Sequence, residues 1–334
     1  MERRWQGDGT MIIVTGGAGC IGSATVWALN TRGRQDILIV DRLGKGEKWK
    51  NLVSLQYRDF IQPDDFLRGI TSGTFTPAGI EAVVHLGACS STTETDADYL
   101  MSNNYAWSVS LAEWCLKHDI RLVYASSAAT YGDGGTGYHD DPESARSLKP
   151  LNMYGYSKHA FDLHAINRGW LHKMAGLKFF NVFGPNEYHK GDMRSVVLKA
   201  WSALNSGSEY PLFRSHREGY ADGEQRRDFV WLKDVTKVIL FFLDHPDING
   251  IFNVGSGTAS SFNQLLTAVF DAMGKPPSIT YIDMPLHLRD RYQYYTCADI
   301  SRLRSVGYDS PCTPLEEAVR EYVQEYLAQG KHLS

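Results

Sequence analysis

The chain has 334 residues, of which 43% are hydrophobic and 22% charged, with a formal net charge of -4. That length exceeds the usual domain of roughly 100 to 200 residues and predicts one large α/β domain with an appended lobe, or two domains. The composition excludes a disordered chain, no apolar run approaches the ~18 residues of a membrane-spanning helix, and the negative balance offers nucleic acid no basic patch.

Residues 1 to 10 are polar and charged, and we expect a flexible extension that is neither signal peptide nor core. The run Met11-Ile12-Ile13-Val14 then leads into Thr15-Gly16-Gly17-Ala18-Gly19-Cys20-Ile21-Gly22 and a helical pattern to about Arg32. Strand, glycine turn and helix in that order form a phosphate-binding unit: Gly16 for the tight turn, Gly19 for close backbone approach to a pyrophosphate, Gly22 for helix-on-strand packing. A second run, Ile37 to Val40, ends at Asp41, where an acidic residue would bond an adenosine ribose. Asp41 favours NAD, but Arg42, Lys45 and Lys48 follow at once and could clasp a 2′-phosphate. The reading leans to NADP and keeps NAD open.

Further strand-like runs lie at Ala82–His85, Leu122–Ala125 and Leu177–Phe180, with helical segments at Asp98–His118 and from Tyr154 to about Leu171. This alternation predicts a doubly wound parallel sheet of Rossmann type. Leu86, Gly87, Ala88, Cys89 and Ser90 follow the Ala82–His85 run, at the carboxyl edge where such sheets place ligands.

Tyr154 and Lys158 stand four residues apart, downstream of the serine pair Ser126-Ser127. Helical spacing puts both on one face, so the Lys158 ammonium is expected near the phenol. Its charge, with that of an oxidised nicotinamide, would lower the phenol from its ordinary ~10 and let it exchange a proton as a carbinol becomes a carbonyl.

Beyond Gly184-Pro185 the rhythm breaks into a helix near Ser195–Asn205, a Gly-rich charged loop at Arg214–Arg227 and shorter elements. We assign 11–184 to a dinucleotide-binding domain and 185–334 mainly to a smaller, interleaved α/β substrate lobe, with returns to the main sheet near 229–254. The five cysteines, Cys20, Cys89, Cys115, Cys297 and Cys312, form no CxxC pair or metal-spaced cluster. We expect a reduced cytoplasmic protein without structural metal.

With the glycine loop, Ser126-Ser127-Ala128-Ala129-Thr130-Tyr131-Gly132, Tyr154-Gly155-Tyr156-Ser157-Lys158 and Arg227-Asp228-Phe229-Val230 in order, the chain resembles the extended short-chain dehydrogenase/reductase superfamily. Within it the resemblance is to the ADP-L-glycero-D-manno-heptose 6-epimerase family. The runs that carry it are Gly87-Ala88-Cys89-Ser90-Ser91-Thr92-Thr93-Glu94, Asn103-Asn104-Tyr105, Phe180-Asn181-Val182, His189-Lys190-Gly191 and Arg291-Tyr292-Gln293.

The resemblance implies that Tyr154 is one acid/base, that Lys158 orients it, that Ser127 bonds the reacting oxygen, and that Lys190 is a second acid/base. It implies cofactor contacts from Gly16, Gly19, Cys20, Ile21, Gly22, Asp41, Arg42, Lys48, Leu86 through Ser90, Asn103, Tyr154, Lys158 and Val182. For an ADP-heptose substrate it implies Ser90, Ser127, Asn181, Lys190, Asp192, Lys199, Phe213, Arg227 and Tyr292, in a homo-oligomer, a pentamer by likeness to the family. Asp192 and Lys199 depart from the family's usual small polar residue and histidine, which bears on substrate identity.

A dehydratase would need an acidic pair where Ala128 and Ala129 stand. The alternatives are an epimerase acting on another sugar nucleotide, such as a UDP-hexose 4-epimerase, and a non-catalytic NADP-binding sensor.

Overall fold

A computed structural model describes residues 10–289 and 292–334; residues 1–9, and with them most of the expected extension, lie outside the described residues, as does Arg291. From the amino end the elements are β1 (Met11–Thr15), α1 (Cys20–Thr31), β2 (Ile37–Val40), β3 (Asp59–Ile61), α2 (Pro63–Ser72), β4 (Ile80–His85), α3 (Ala97–Leu100) and α4 (Trp107–Lys117), the last two joined by a π-helical stretch at Met101–Ala106. Then come β5 (Arg121–Ser127), α5 (Pro142–Ala145), α6 (Met153–Asn167), β6 (Met174–Phe179), β7 (Asn181–Phe183) and α7 (Val196–Asn205). The remainder is β8 (Leu212–Phe213), β9 (Arg226–Trp231), α8 (Leu232–Asp244), β10 (Gly250–Val254), β11 (Ala259–Ser261), α9 (Phe262–Ala272), β12 (Tyr281–Ile282), α10 (Leu286–Arg289), α11 (Ser301–Ser305) and α12 (Leu315–Glu321).

Seven strands form one parallel sheet in the order β10-β6-β5-β4-β1-β2-β3. Successive side chains on a strand point to opposite faces. Ile12 and Val14 accordingly enter one apolar cluster with Ile37 and Ile39, while Met11 and Ile13 enter another with Leu38 and Val40. Both faces are covered, as a parallel sheet requires: α1 packs with α8, and α2 with α4. Strand β3 escaped the reading of the sequence because it is only three residues long and half-buried.

The sheet reverses direction between β1 and β4, since β1 continues through β2 and β3 on one side and the chain returns to β4 on the other. Ligands bind at such a crevice beyond the strands' carboxyl ends.

The expected return near Phe229 differs in part. Phe229 lies in β9, which joins β7 and β11 in a separate three-stranded sheet, whereas Ile251–Val254 lies in the main sheet. Strands β8 and β12 form a third, two-stranded sheet. A lobe core of α7, α9 and α12 side chains, including Leu198, Leu265 and Val319, packs beneath these sheets. Helix α6 ends at Asn167, short of Leu171, because Gly169 takes a left-handed φ of 68°.

Candidate active site

The glycine turn is built by close contact. A Cβ on Gly22 would lie 2.0 Å from the Gly16 carbonyl oxygen, so a side chain there would push α1 off the loop. Helix α1 starts at Gly19 with no side chain capping it, and Cys20, Ile21 and Gly22 of its first turn line a cleft of about 310 Å³. Free N–H groups at a helix N-terminus suit a pyrophosphate, so the residues present fit a dinucleotide.

Gly16, Gly19, Asp41, Lys48, Leu86, Gly87, Ala88, Ser90, Ser127, Tyr154, Lys158, Val182 and Lys190 line the same cleft. Arg42, Cys89 and Asn103 line an adjoining pocket of about 240 Å³, which shares Gly16, Asp41, Lys48, Gly87 and Ala88 with it. Every cofactor contact expected from the sequence therefore borders one of two connected hollows. Asn104, buried in the π-helical stretch, accepts from the Cys89 N–H at 2.9 Å and donates to the Cys89 carbonyl at 2.9 Å, which fixes that wall.

Asp41 differs from the free ribose acceptor that its position suggests. One carboxylate oxygen accepts from the Ala18 N–H at 2.8 Å, and the other accepts from the Arg42 N–H and the Lys48 ammonium, both at 2.6 Å. Its charge is thus spent on the glycine loop and on Lys48. Arg42 in turn pairs with Asp64 at 2.5 Å on the surface.

Helix α6 carries Tyr154 and Lys158, and the Asn152 side chain caps it by accepting from the Gly155 N–H at 2.8 Å. Gly155 is needed because a Cβ would meet the Ala129 carbonyl oxygen at 2.7 Å; the helix presses directly on the turn after β5. That approach brings Ser127, the last residue of β5, beside Tyr154 in the cleft. Burial raises the phenol above its ordinary value, against the lowering pulls of the Ser127 hydroxyl and of Lys190.

The two lysines of the cleft sit in different electrostatic settings. Lys158 is buried and donates to the Ala125 carbonyl at 2.9 Å. Burial brings it down to about 8, opposed by Asp162 one turn further along α6. Lys190 reaches the cleft from the turn Tyr188–Met193, and its charge pulls the Tyr154 phenol downward. Burial disfavours the Lys190 ammonium, but the negative charges that Cys20, Glu187 and Tyr154 can carry outweigh it and hold its pKa above the ordinary lysine value.

The residues assigned to the substrate lie mostly outside the cleft. Arg227, buried in β9, stacks over Tyr292 at 5.1 Å and Phe262 at 5.7 Å, and Phe213 meets Tyr292 edge-on at 6.2 Å. Arg227 has no carboxylate partner among the described residues. Asp228 instead accepts from the N–H groups of Ser256, Gly257 and Ala298. One guanidinium nitrogen donates to the Arg226 carbonyl at 2.8 Å, and the other N–H groups of the fork, held between aromatic faces, suit an anion. Asn181, at the start of β7, is exposed. Asp192 and Lys199 prove to be a linked pair, since the Lys199 ammonium donates to the Asp192 carbonyl at 2.6 Å. Lys199 is thereby committed to holding the turn that carries Lys190.

Other members of the site went unread in the sequence. Lys178 and Asp162 form a fully buried ion pair at 2.7 Å, with Tyr124 and Ser126 also donating to Asp162. A lysine within the apolar run Leu177–Phe180, and an aspartate at i+4 from Lys158, were the signals available. Phe180 and Met193 complete the cleft lining. No cluster of groups able to hold a metal occurs among the described residues, and all five cysteines are free.

Residues 12–255 match the model of the NAD dependent epimerase/dehydratase family. The chain belongs to that family. It is 53% identical over 95% of its length to the ADP-L-glycero-D-manno-heptose-6-epimerase of Nitratidesulfovibrio vulgaris strain DP4, covering 98% of that protein. The protein of that name from Fusobacterium nucleatum is 48% identical, with 96% and 98% covered. Among solved structures the fold matches the ADP-L-glycero-D-manno-heptose-6-epimerase of Helicobacter pylori at a TM-score of 0.79 and 25% identity, over 96% of this chain and 97% of that one. A Thermus thermophilus UDP-glucose 4-epimerase, in complex with NAD, matches at a TM-score of 0.76 and 25% identity, with 95% and 99% covered. Membership of the epimerase family makes this an NAD(P)-dependent sugar-nucleotide epimerase of Rossmann fold. No helix among the described residues is long and apolar enough to cross a membrane.

Proposed function

We propose that the protein inverts C6 of the heptose in ADP-D-glycero-β-D-manno-heptose, giving the L-glycero epimer by transient oxidation to a ketone and re-reduction. One observation carries the mechanism: Tyr154, Ser127 and Lys190 line one cleft, and Lys190 arrives from a different element than Lys158. Bound NAD(P) supplies the hydride acceptor and donor.

Tyr154 takes or returns the C6 hydroxyl proton in one pose, and Ser127 holds the oxygen. Inversion requires the ketone to show its other face to the same hydride, which moves its oxygen away from the first donor. Lys190 serves the second pose, and its raised pKa keeps the ammonium proton available for that oxygen. Lys158, donating from α6 to the Ala125 carbonyl of β5, orients the α6 side of the site. Arg227, with Tyr292 and Phe213 beside it, takes the nucleotide diphosphate.

The cofactor we assign is NADP. Lys48 neutralises Asp41, so a 2′-phosphate would meet no uncompensated carboxylate, and Arg42 stands at the rim. Mass spectrometry of the nucleotide released on denaturation tests this, and NAD alone would overturn it. The same reading carries a cytoplasmic homo-oligomer, a pentamer by family likeness, which mass photometry tests.

The activity is tested by incubating the purified protein with ADP-D-glycero-β-D-manno-heptose, adding no cofactor, and following the C6 proton by NMR. Appearance of the L-glycero signal is expected. No change, even with NADP or NAD supplied, would mean that the protein acts on another sugar nucleotide.

A further inference from the structure

We propose that Glu187 is a positioning residue for the second acid/base: its buried carboxylate fixes the turn that carries Lys190 and supplies the negative charge that keeps the Lys190 ammonium in the site. This rests on the assignment of Lys190 as the proton donor of the second pose.

The geometry comes first. Glu187 is fully buried, three residues before Lys190, and the Lys190 N–H donates to the Glu187 carbonyl at 3.0 Å, closing one turn. Its carboxylate accepts from the Ser195 N–H at 2.7 Å, the Ser195 hydroxyl at 2.5 Å and the Tyr322 hydroxyl at 3.0 Å. Ser195 also caps α7, accepting from the Leu198 N–H at 3.2 Å, so the carboxylate sits at the positive end of that helix. One side chain thus ties the Lys190 turn to α7 and to the π-helical stretch Tyr322–Leu327 of the lobe core.

A buried carboxylate with only neutral donors is unusual, because a buried charge is ordinarily paired. Glu187 makes no direct ion pair among the described residues, and the lysine whose charge it influences is Lys190. The groups around that ammonium come from every neighbouring element: Cys20 of α1, Tyr154 of α6, and Glu187 and His189 of its own segment, with Lys48 acting on His189. Cys20 is pushed up to about 12 by burial, and burial also raises Tyr154, so both are neutral near pH 7. His189 is lowered to about 4 by burial and by the charges of Lys48 and Lys190, and it too is neutral there. Glu187 is the one carboxylate of the set.

A carboxylate so placed matters to an acid that must hold its proton until the ketone has turned. Removing it weakens the opposition to burial, which by itself drives a lysine toward the free amine, as it does Lys158.

The test is competitive labelling of the holoenzyme with trace acetic anhydride across pH 6 to 11, reading each lysine by peptide mass spectrometry. In the unaltered protein Lys190 should titrate at or above an ordinary lysine, and Lys158 well below it; a Lys190 midpoint below the ordinary lysine value overturns the proposal, with no variant required. In Glu187→Gln, which keeps shape and removes charge, the Lys190 midpoint should fall by about one unit, equivalent to roughly tenfold faster acetylation at pH 8, while Lys158 is unmoved. Glu187→Asp should recover part of the shift. Unchanged Lys190 labelling in Glu187→Gln also overturns the proposal. The pH profile of epimerisation should move to lower pH in the same variant. Labelling needs no substrate, so a protein that fails to turn over ADP-heptose would sink the activity reading while still deciding the role of Glu187.

Discussion

The two lysines of the cleft stand in regions built by different rules. Lys158 belongs to the dinucleotide half, where a strand, a turn and a helix follow one another within about forty residues and the partner groups, Ala125 and Asp162, lie on adjoining elements. Lys190 belongs to the lobe, on a short turn whose geometry depends on α1, α7 and the C-terminal helix together. The first is buried and driven toward neutrality; the second is held charged by a carboxylate beside it. A site that must offer a proton to two poses of one ketone has its two groups on independently supported walls, so that neither pose disturbs the other donor.

The sharpest way to break this contrast is to remove each acid/base in turn. Tyr154→Phe and Lys190→Met should each slow epimerisation by about 10²- to 10⁴-fold, the range for a positioned proton-transfer group, with thermal unfolding little changed. Wild-type turnover in the Lys190 variant would leave the second pose without its donor and refute the two-group mechanism.

Asp162→Asn probes the support of the first wall. It leaves Lys178 as a buried charge without its partner, and should cost about 3 to 5 kcal/mol in urea unfolding. A loss below about 1 kcal/mol would show that the pair does not hold β6 to α6.

Arg227→Gln tests the substrate side alone. Losing a charge-assisted bond to a diphosphate is worth roughly 1.5 to 3 kcal/mol, so KM should rise about 10- to 100-fold while kcat changes little. A fall in kcat with unchanged KM would instead place Arg227 at the reacting centre.

The smallest effect is on stability against pH. Lys158 titrates near 8 when folded and near its ordinary 10.5 when unfolded, so between those values the unfolded chain binds more protons and stability rises with pH. The gain is complete above 10.5 and absent below about 8. Urea midpoints at about pH 7.5, 8.5 and 9.5 should therefore climb, and Lys158→Met should flatten that slope; an equal slope in both proteins would contradict the burial argument.

Much of the first wall could be read from the chain because its parts are local. Gly16, Gly19 and Gly22 announce a turn by spacing, Asp41 ends the next strand, and Tyr154 and Lys158 share a helical face. What could not be read locally was that Asp41 is already bonded to Lys48 and Ala18, or that Asp162 reaches a lysine on another strand. The second wall was legible chiefly through family likeness, which singled out Lys190. Glu187 and Ser195 carry no pattern of their own, and their link to Tyr322 spans well over a hundred residues. The pairing of Lys199 with the Asp192 carbonyl was equally hidden, and it recasts two departures from the family as one local contact. Arg227 was read as a phosphate ligand, but the aromatic rings that hold it, Tyr292 and Phe262, come together only in the folded lobe.

The most direct test of oxidation followed by re-reduction is to run the epimerisation in D₂O and examine the product's C6 by NMR. Hydride that leaves C6 and returns to it never exchanges with solvent, so the L-glycero product should keep protium at that carbon. Deuterium at C6 would show inversion by proton exchange, and would contradict the roles assigned to Tyr154 and Lys190.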